Sequence, residues 1–567
     1  MESYRLVVVS LIALFLFVTI SFFLRKSKNY PFQITILASL LPLISLLRKG
    51  VHQSGDFALH IERAVDLWNS LQYGIFPVHW AAVLNFTYGY PLFIFIYPLP
   101  YYLLAVLKIF GISFILSEKI LIAGTFIFSG IGMYKMTRTF LKPVPSAFSS
   151  ILYLFAPYHL VDMHFRVAIG ELFAYALLPF VFYFTIKLSM KISVWNFFFC
   201  AVCYAALILS HPAITVVATP FIFTLPLFIK KVNKARVFLA LTTGLFFASF
   251  YWLPALAETT STLQHQFGKS IYFENPSLYF LSPWRYGFLY QGPTGQISFP
   301  MGIIQLLMLI VALVFLMKSR IKKIHKKILI GSLSIFFALL FLLFPISLPL
   351  WKSLPMMTNF QFAYRLMLPI SFVLAIVGGI SSEYMNRKVI VTLAFFAIVL
   401  TILNWGTRGM ITDITDEYLI RHVPIATSEG EGLQAAVPRW RDNTNLWFAT
   451  HPASPIAVLK GEALIKSTKR TPIVHEYAIR VLKESSIREN TLYFPGWNLY
   501  VNGKIHQFMV DNGKTGLITF TLPEGTYKVS LKFEDTPVRR LGNTISLFAF
   551  ASTLLYLTYY FVFQRER

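Results

Sequence analysis

The sequence predicts a polytopic α-helical membrane protein of about 13 spans that carries a C-terminal extracytoplasmic β-sandwich-like module. Three observations predict it. Of the 567 residues 56% are hydrophobic and only 13% are charged, too apolar for a soluble domain, and apolar runs of about 20 residues, enough to cross a bilayer, recur along the chain. Basic residues gather in short turns between those runs with few acids beside them: Arg25, Lys26 and Lys28; Lys135, Arg138 and Lys142; Lys187 and Lys191; Lys230, Lys231, Lys234 and Arg236; the stretch 318–327; Arg387 and Lys388; Arg565 and Arg567. Such clustering marks cytoplasmic turns, so the net charge of +25 needs no nucleic-acid partner. Third, the stretch 405–540 loses the long apolar runs and shows short alternating segments punctuated by tight turns.

Taken in order, spans are expected near 6–24, 32–47, 119–136, 145–160, 172–188, 194–210, 213–229, 237–254, 300–317, 328–344, 363–380, 389–404 and 541–563. The signs of the turns alternate if the N-terminus is outside, the C-terminus is inside and 92–111 does not cross. Pro91, Pro98 and Pro100 interrupt that run, so it reads as a broken or re-entrant interfacial element. Domain boundaries follow: a membrane domain over 1–404 with a first outer loop at 48–118, the β-rich stretch 405–540, and a terminal helix with a basic tail over 541–567. Met1 to Leu24 lacks a small-residue cleavage site and reads as a retained span. Asn502-Gly503, Asp511-Asn512-Gly513 and Pro523-Glu524-Gly525 are hairpin turns, which puts strands over Thr491–Val501, Gly516–Leu522 and Thr526–Phe533.

This topology places the bulk of the non-membrane chain on the outer face, and no G-x-x-x-x-G-K-[ST] loop is present, so cytosolic nucleotide chemistry is excluded. No H-E-x-x-H or G-x-S-x-G element occurs. Cys200 and Cys203 stand inside an apolar run with no second pair and read as packing residues.

Candidate chemistry gathers in two outer loops. A helix starting at Asp56 puts Phe57, Ile61, Ala64, Trp68 and Leu71 on an apolar stripe and Asp56, His60 and Arg63 on a polar one, the split of a helix lying in the interface. In its first turn Asp56 is favoured as a carboxylate, suited to a base or a metal ligand; it is equally the type of residue that starts a helix. The second loop offers His159, Asp162, His164, Arg166 and Glu171, and ionisable groups at membrane depth are functional candidates by default. Asp162 and Glu171 each supply a second carboxylate opposite Asp56. Arg166 suits a phosphate through its paired donors, or pairs locally with Asp162. His60, Arg63 and His164 are further substrate-binding candidates. His211 is either a ligand or an interfacial hydrogen-bond partner, and Arg365 either a snorkelling anchor or a contact for a lipid phosphate. His and Asp in these loops have metal-ligand chemistry without zinc spacing; an ion held by Asp56 and Asp162 would be magnesium or manganese. The aromatic loop Glu258 to Phe299, with Tyr272, Glu274, Tyr279, Trp284, Arg285, Tyr286 and Tyr290, serves as a headgroup anchor or a sugar platform.

Gly55-Asp56-x3-His60, Gly74-Ile75-Phe76-Pro77, Trp80, Tyr88-Gly89-Tyr90-Pro91, Tyr97-Pro98-Leu99-Pro100-Tyr101, Arg166-x4-Glu171 and Leu177-Leu178-Pro179-Phe180 together resemble the bacterial membrane family named "6-pyruvoyl-tetrahydropterin synthase related", over roughly 50–400. Those proteins look like members of the GT-C superfamily of glycosyltransferases. Phe494-Pro495-Gly496-Trp497, Asn502-Gly503-Lys504 and Thr536-Pro537-x-Arg539-Arg540-x-Gly542 are similar to the C-terminal part of YfhO-like relatives. Nothing resembles a pterin active site. The resemblance implies a GT-C-like fold in the plasma membrane and an inverting transfer from a polyprenyl-phosphate-linked sugar to an extracytoplasmic glycan, lipid or protein. It makes Asp56 the base or metal ligand, with the second acid at Asp162 or Glu171. The chain departs from GT-C proteins in having two apolar runs before Asp56 and no adjacent acidic pair. A carrier or flippase for a lipid-linked glycan, or a non-catalytic scaffold, are the alternative readings.

Overall fold

The computed structural model describes residues 2–229, 233–263, 271–284, 287–317, 321–353, 360–407, 409–423, 436–442 and 448–563. Arg285 and Tyr286 of the aromatic loop lie outside them, as do the basic residues Lys230, Lys231, Lys318, Arg320, Arg565 and Arg567. A chain in hydrocarbon must satisfy its own N–H and C=O groups, which a helix does within one segment. Among the described residues eight helices are long and apolar enough to cross: Tyr4–Leu24, Tyr30–Leu47, Phe114–Thr137, Ile169–Met190, Lys323–Leu342, Ala363–Ser382, Arg387–Asn404 and Pro537–Tyr560. Two further expected spans are bent helix pairs, Pro143–Leu154 with Pro157–Arg166 at 47° and Lys234–Phe247 with Ser249–Ala257 at 68°. The last three are shorter apolar helices, Val194–Ser210, Pro212–Phe228 and Ile303–Met317. Every expected span is thus helical, but five are not straight helices of crossing length.

The first bend has a local cause. Pro157 lacks an N–H and drives Ala156 to extended backbone (ψ 128°), after which the chain restarts with Pro157 in the first helical position. The stretch expected as a second outer loop is therefore helical on both sides of a break at Val167-Ala168. In 92–111 the prolines leave a one-turn helix, Leu92–Phe95, and an 11-residue helix, Leu99–Ile109. At 1.5 Å per residue the latter reaches about 16 Å, roughly half the hydrocarbon thickness.

The chain forms two compact units, each drawn from three stretches: Met1–Phe57, Ile115–Leu245 and Ser270–Ile414 in the first, and Ala58–Phe114, Phe246–Lys269 and Thr415–Arg567 in the second. The first is organised on Met367–Ser382, a helix buried along its whole length, which packs on Pro143–Leu154, Ile303–Met317 and Lys323–Leu342. Gly378 and Gly379 bring it close to Pro143–Leu154. A Cβ on Gly378 would lie 2.2 Å from Leu152 Cδ1, and one on Gly379 2.8 Å from Ser149 Cβ. Ser149 Oγ donates to Ala375 O across the same contact at 2.7 Å. Small residues and hydroxyl bonds hold helices together where lipid competes for every apolar face. A two-residue ladder, β1 (Val51–His52) with β2 (Met410–Ile411), ties the chain just ahead of Asp56 to the end of this unit.

The second unit carries an antiparallel sheet of seven strands: β3 (Ile456–Thr471), β4 (Val474–Leu492), β5 (Trp497–Val501), β6 (Lys504–His506), β7 (Met509–Val510), β8 (Leu517–Leu522) and β9 (Gly525–Phe533). The strands form one hydrogen-bonded network because β4 runs for 19 residues and joins both groups of strands. One edge of β4 pairs with β3 throughout; the other pairs first with β9, over Val474–Val481, and then with β8, over Ser485–Leu492. Register shifts between Val458 and Ala463 let the long hairpin turn at the changeover. Alternate residues of β4, including Tyr477, Ile479, Val481 and Ile487, are buried in the core, as are Trp497, Leu499, Phe520 and Leu531. The turn Asn502-Gly503, with φ of 51° and 80°, closes β5 on β6 as its sequence demands.

Candidate functional site

Within the first unit the bent helix ends in a π-turn, Asp162–Arg166, and Val167 then reverses the chain at φ 56°, ψ 49°. A β-branched residue in that region is strained, and π-turns gather at functional sites. The next helix, Ile169–Met190, starts two residues later and carries Glu171 in its first turn, where the free N–H groups favour a carboxylate. The reversal folds Asp162, Arg166 and Glu171 onto one another. Arg166 donates through Nη1 to Asp162 Oδ1, through Nη1 to Tyr158 Oη at 2.9 Å, and through Nη2 to Glu171 Oε1 at 3.1 Å. Tyr158 Oη donates to Glu171 Oε2 at 2.6 Å. The Arg166 guanidinium also lies 4.9 Å from the centre of the Tyr364 ring, which stacks on Phe299 at 4.3 Å.

Arg365, in the turn Ala363–Leu366, brings Nε to 3.5 Å from Glu171 Oε1 and donates from Nη1 to Phe360 O at 2.8 Å. Its side chain is 19% exposed, against 1% for Glu171 and none for Asp162. His211 caps the helix Pro212–Phe228 by accepting the Ile214 N–H on Nδ1 at 3.2 Å, and its Nε2 stands 3.9 Å from Glu171 Oε1. Two carboxylates and two guanidiniums thus balance in a buried network. Arg166 spends its fork inside that network, so Arg365 is the cation with surface left for an incoming anion.

Asp56 is brought to this network by main chain. Gly55 N–H donates to Phe165 O at 3.1 Å and Asp56 N–H to Arg166 O at 2.9 Å. A Cβ at position 55 would sit 3.3 Å from Arg166 O, which is the reason a glycine suits the docking strand. Asp56 is half-buried. The helix starts at Phe57, one residue later than the spacing predicts, with Ser54 Oγ accepting the Phe57 N–H at 3.4 Å. Asp56 therefore precedes the first turn. Glu118, near the start of Phe114–Thr137, is wholly buried and close enough to feel the charge of Asp56. Neither of its oxygens has a hydrogen-bond partner among the described residues. Sequence reading passed over it because it opens an apolar run; Ser117-Glu118-Lys119 ahead of that run was the available signal.

The polar stripe of the interfacial helix does not face water. His60 and Arg63 belong to the second unit and are buried, with His60 Nδ1 2.9 Å from Tyr101 Oη and Arg63 Nη1 donating to the same oxygen at 3.2 Å. His164 is buried with Nδ1 3.2 Å from Ser45 Oγ and its ring beside His52, apart from the guanidinium network. The ring of His159 stacks on Tyr175 at 3.8 Å. For a metal ion the donor set does not fit a protein-only cage: among the described residues no three His, Cys, Asp or Glu side chains converge, and Asp162 is taken by Arg166. What fits magnesium is one or two carboxylates completed by substrate phosphate, and Asp56 would be one of them.

The sequence model of a family described as "6-pyruvoyl-tetrahydropterin synthase related domain; membrane protein" matches residues 93–413. An uncharacterized protein of Lactococcus lactis subsp. cremoris is 25% identical over 279 residues, 46% of this chain and 45% of that protein, so the match spans less than half the relative's length. Among solved structures, the arabinofuranosyltransferase AftD from Mycobacteria aligns at TM-score 0.46 and 12% identity over 68% of this chain and 28% of its own. The Archaeoglobus fulgidus oligosaccharyltransferase in its apo form aligns at TM-score 0.42 and 11% identity over 69% and 57%.

Proposed function

The chain belongs to the 6-pyruvoyl-tetrahydropterin synthase related family of membrane proteins, and from that premise we propose that it is a GT-C-type glycosyltransferase of the plasma membrane. It moves a sugar from a polyprenyl-phosphate-linked donor to an extracytoplasmic glycan, lipid or protein acceptor. The observation that carries this reading is the docking of Gly55 and Asp56 on the carbonyls of Phe165 and Arg166, which joins the half-buried Asp56 to the segment that carries the buried guanidinium network.

The chemistry follows from those positions. Asp56 takes the proton of the acceptor hydroxyl as its oxygen bonds to the anomeric carbon. The bond from that carbon to the phosphate oxygen breaks, and the polyprenyl phosphate leaves with the electron pair, inverting the centre. Arg365 meets the charge that grows on the leaving phosphate, while Asp162, Arg166 and Glu171 hold Arg365 and the Asp56 backbone in place. Membrane anchoring of the donor supplies part of the positioning. Were Asp56 to act as a metal ligand instead of the base, it would hold a divalent ion whose positive charge would favour departure of the phosphate.

In a strain lacking the chain, mass-spectrometric profiling is expected to show one polyprenyl-linked sugar accumulating several-fold and the matching sugar missing from the envelope. Purified wild-type protein in detergent should then release polyprenyl phosphate from the accumulated lipid when acceptor is added. A carrier would not, having no bond to break. An unchanged lipid pool, or accumulation with no release, contradicts the transferase reading.

A further inference from the structure

The second unit contains a cleft of about 190 Å³, below the roughly 300–1,000 Å³ of sites for drug-sized ligands and so suited to a smaller guest. None of the residues given chemistry above lines it. Three pieces of chain build it.

The first is the end of the helix Phe57–Gln72. Gly74, at φ 74°, stops that helix as its N–H bonds to Leu71 O at 2.9 Å and the Ile75 N–H to Ser70 O at 3.3 Å. This leaves Asn69 and Tyr73 on the rim, Tyr73 with 56% of its surface exposed. The second is the turn Asn85-Phe86-Thr87, three consecutive non-glycine residues at positive φ (57°, 54° and 69°), a conformation that costs roughly 1–2 kcal/mol per residue. It is held by the buried Asp66 carboxylate, which accepts the N–H groups of Ala82, Val83 and Leu84 at 3.0–3.2 Å, and by Asn85 Oδ1, which accepts the Phe448 N–H at 3.1 Å.

The third is the sheet wall, which presents Arg470, His475 and Thr491. Behind it, buried Glu489 Oε1 takes Arg470 Nη1 at 2.7 Å, His475 Nδ1 at 2.8 Å and Tyr477 Oη at 2.9 Å. Burial pushes the Glu489 carboxyl up, but His475 and Arg470 hold it down at about 2, so it stays ionised and fixes both side chains. Trp80 closes the floor.

The lining selects among ligand classes. An apolar guest would strip water from the Asn69 amide and the Tyr73 and Thr87 hydroxyls, at about 1–3 kcal/mol for each group left unpaired. A polyanion is not favoured either, since Arg470 already shares its charge with Glu489. What matches an exposed tyrosine face ringed by fixed donors and acceptors is a sugar ring, with one apolar face of C–H groups and a rim of hydroxyls. We propose that this cleft binds a single glycan residue and is the docking site of a carbohydrate acceptor. The proposal rests on the glycosyltransferase reading for the word acceptor, but not for the binding itself.

The test uses the full chain in a detergent without a sugar headgroup, titrated with methyl glycosides of glucose, galactose, mannose, N-acetylglucosamine, rhamnose and glucuronic acid. Binding is read by saturation-transfer NMR and by tryptophan fluorescence. At least one glycoside is expected to bind saturably. Tyr73→Ala and Asn69→Ala, both at positions reached by solvent, are expected to weaken it about ten-fold or more. Asp56→Asn is expected to keep the binding, so a failed cleft and a failed catalytic assignment give different results. Absence of saturable binding by every glycoside, or unaltered binding in both cleft variants, overturns the proposal.

Discussion

Asp56→Asn is expected to lower glycan transfer by about 10²–10⁴-fold, the contribution of a positioned general base, while the protein still folds. Asparagine keeps the shape of the side chain and the main-chain bond from position 56 to Arg166 O, and it removes a negative charge from the vicinity of buried Glu118, so the fold loses little. The assay is release of polyprenyl phosphate from donor lipid by purified protein, with thermal unfolding run alongside. A variant that transfers at the wild-type rate defeats the assignment of the base, whatever the fate of the other residues.

The largest loss of stability is expected at Glu171. Its two oxygens meet Arg166, Tyr158, Arg365 and His211, and Glu171→Ala leaves two guanidiniums facing a single carboxylate, Asp162, in a buried site. Removing one partner of a buried ion pair costs about 3–5 kcal/mol. The double variant Arg166→Gln/Glu171→Gln removes one charge of each sign and is expected to recover part of that loss, which thermal unfolding in detergent can measure as a coupling between the two positions. Equal or greater loss in the double variant would show that packing, rather than charge balance, holds the turn together.

These expectations rest on features of unequal visibility in the sequence. The spans were legible because a 20-residue apolar run states its own environment, and the turns at Asn502-Gly503 and Asp511-Asn512-Gly513 because φ > 0 leaves few residue choices. Pro523-Glu524-Gly525 is no hairpin turn, since β8 and β9 each pair with β4 rather than with each other. The long hairpin of β3 and β4 was not, since β3 is an exposed edge whose Lys and Glu residues, such as Lys460, Glu462 and Lys466, mask its alternation, as edge strands commonly do. Arg166 and Glu171 stood out as charges between apolar runs. Their mutual geometry did not, because it depends on a π-turn and a left-handed valine that no local pattern announces. His60 and Arg63 looked solvated on a helical wheel, yet both meet Tyr101, which a periodicity argument confined to one helix cannot see. Asp66 was hidden in the same way, its partners being the backbone of 82–84.

The account depends most on where Asp56 faces. In a background with Cys200→Ala and Cys203→Ala, the variant Asp56→Cys should react with a membrane-impermeant maleimide added to intact cells, and the reaction should be blocked by prior treatment with an impermeant thiol reagent. Labelling that appears only after the membrane is permeabilised would put the carboxylate on the cytoplasmic side and contradict an outer-face transferase.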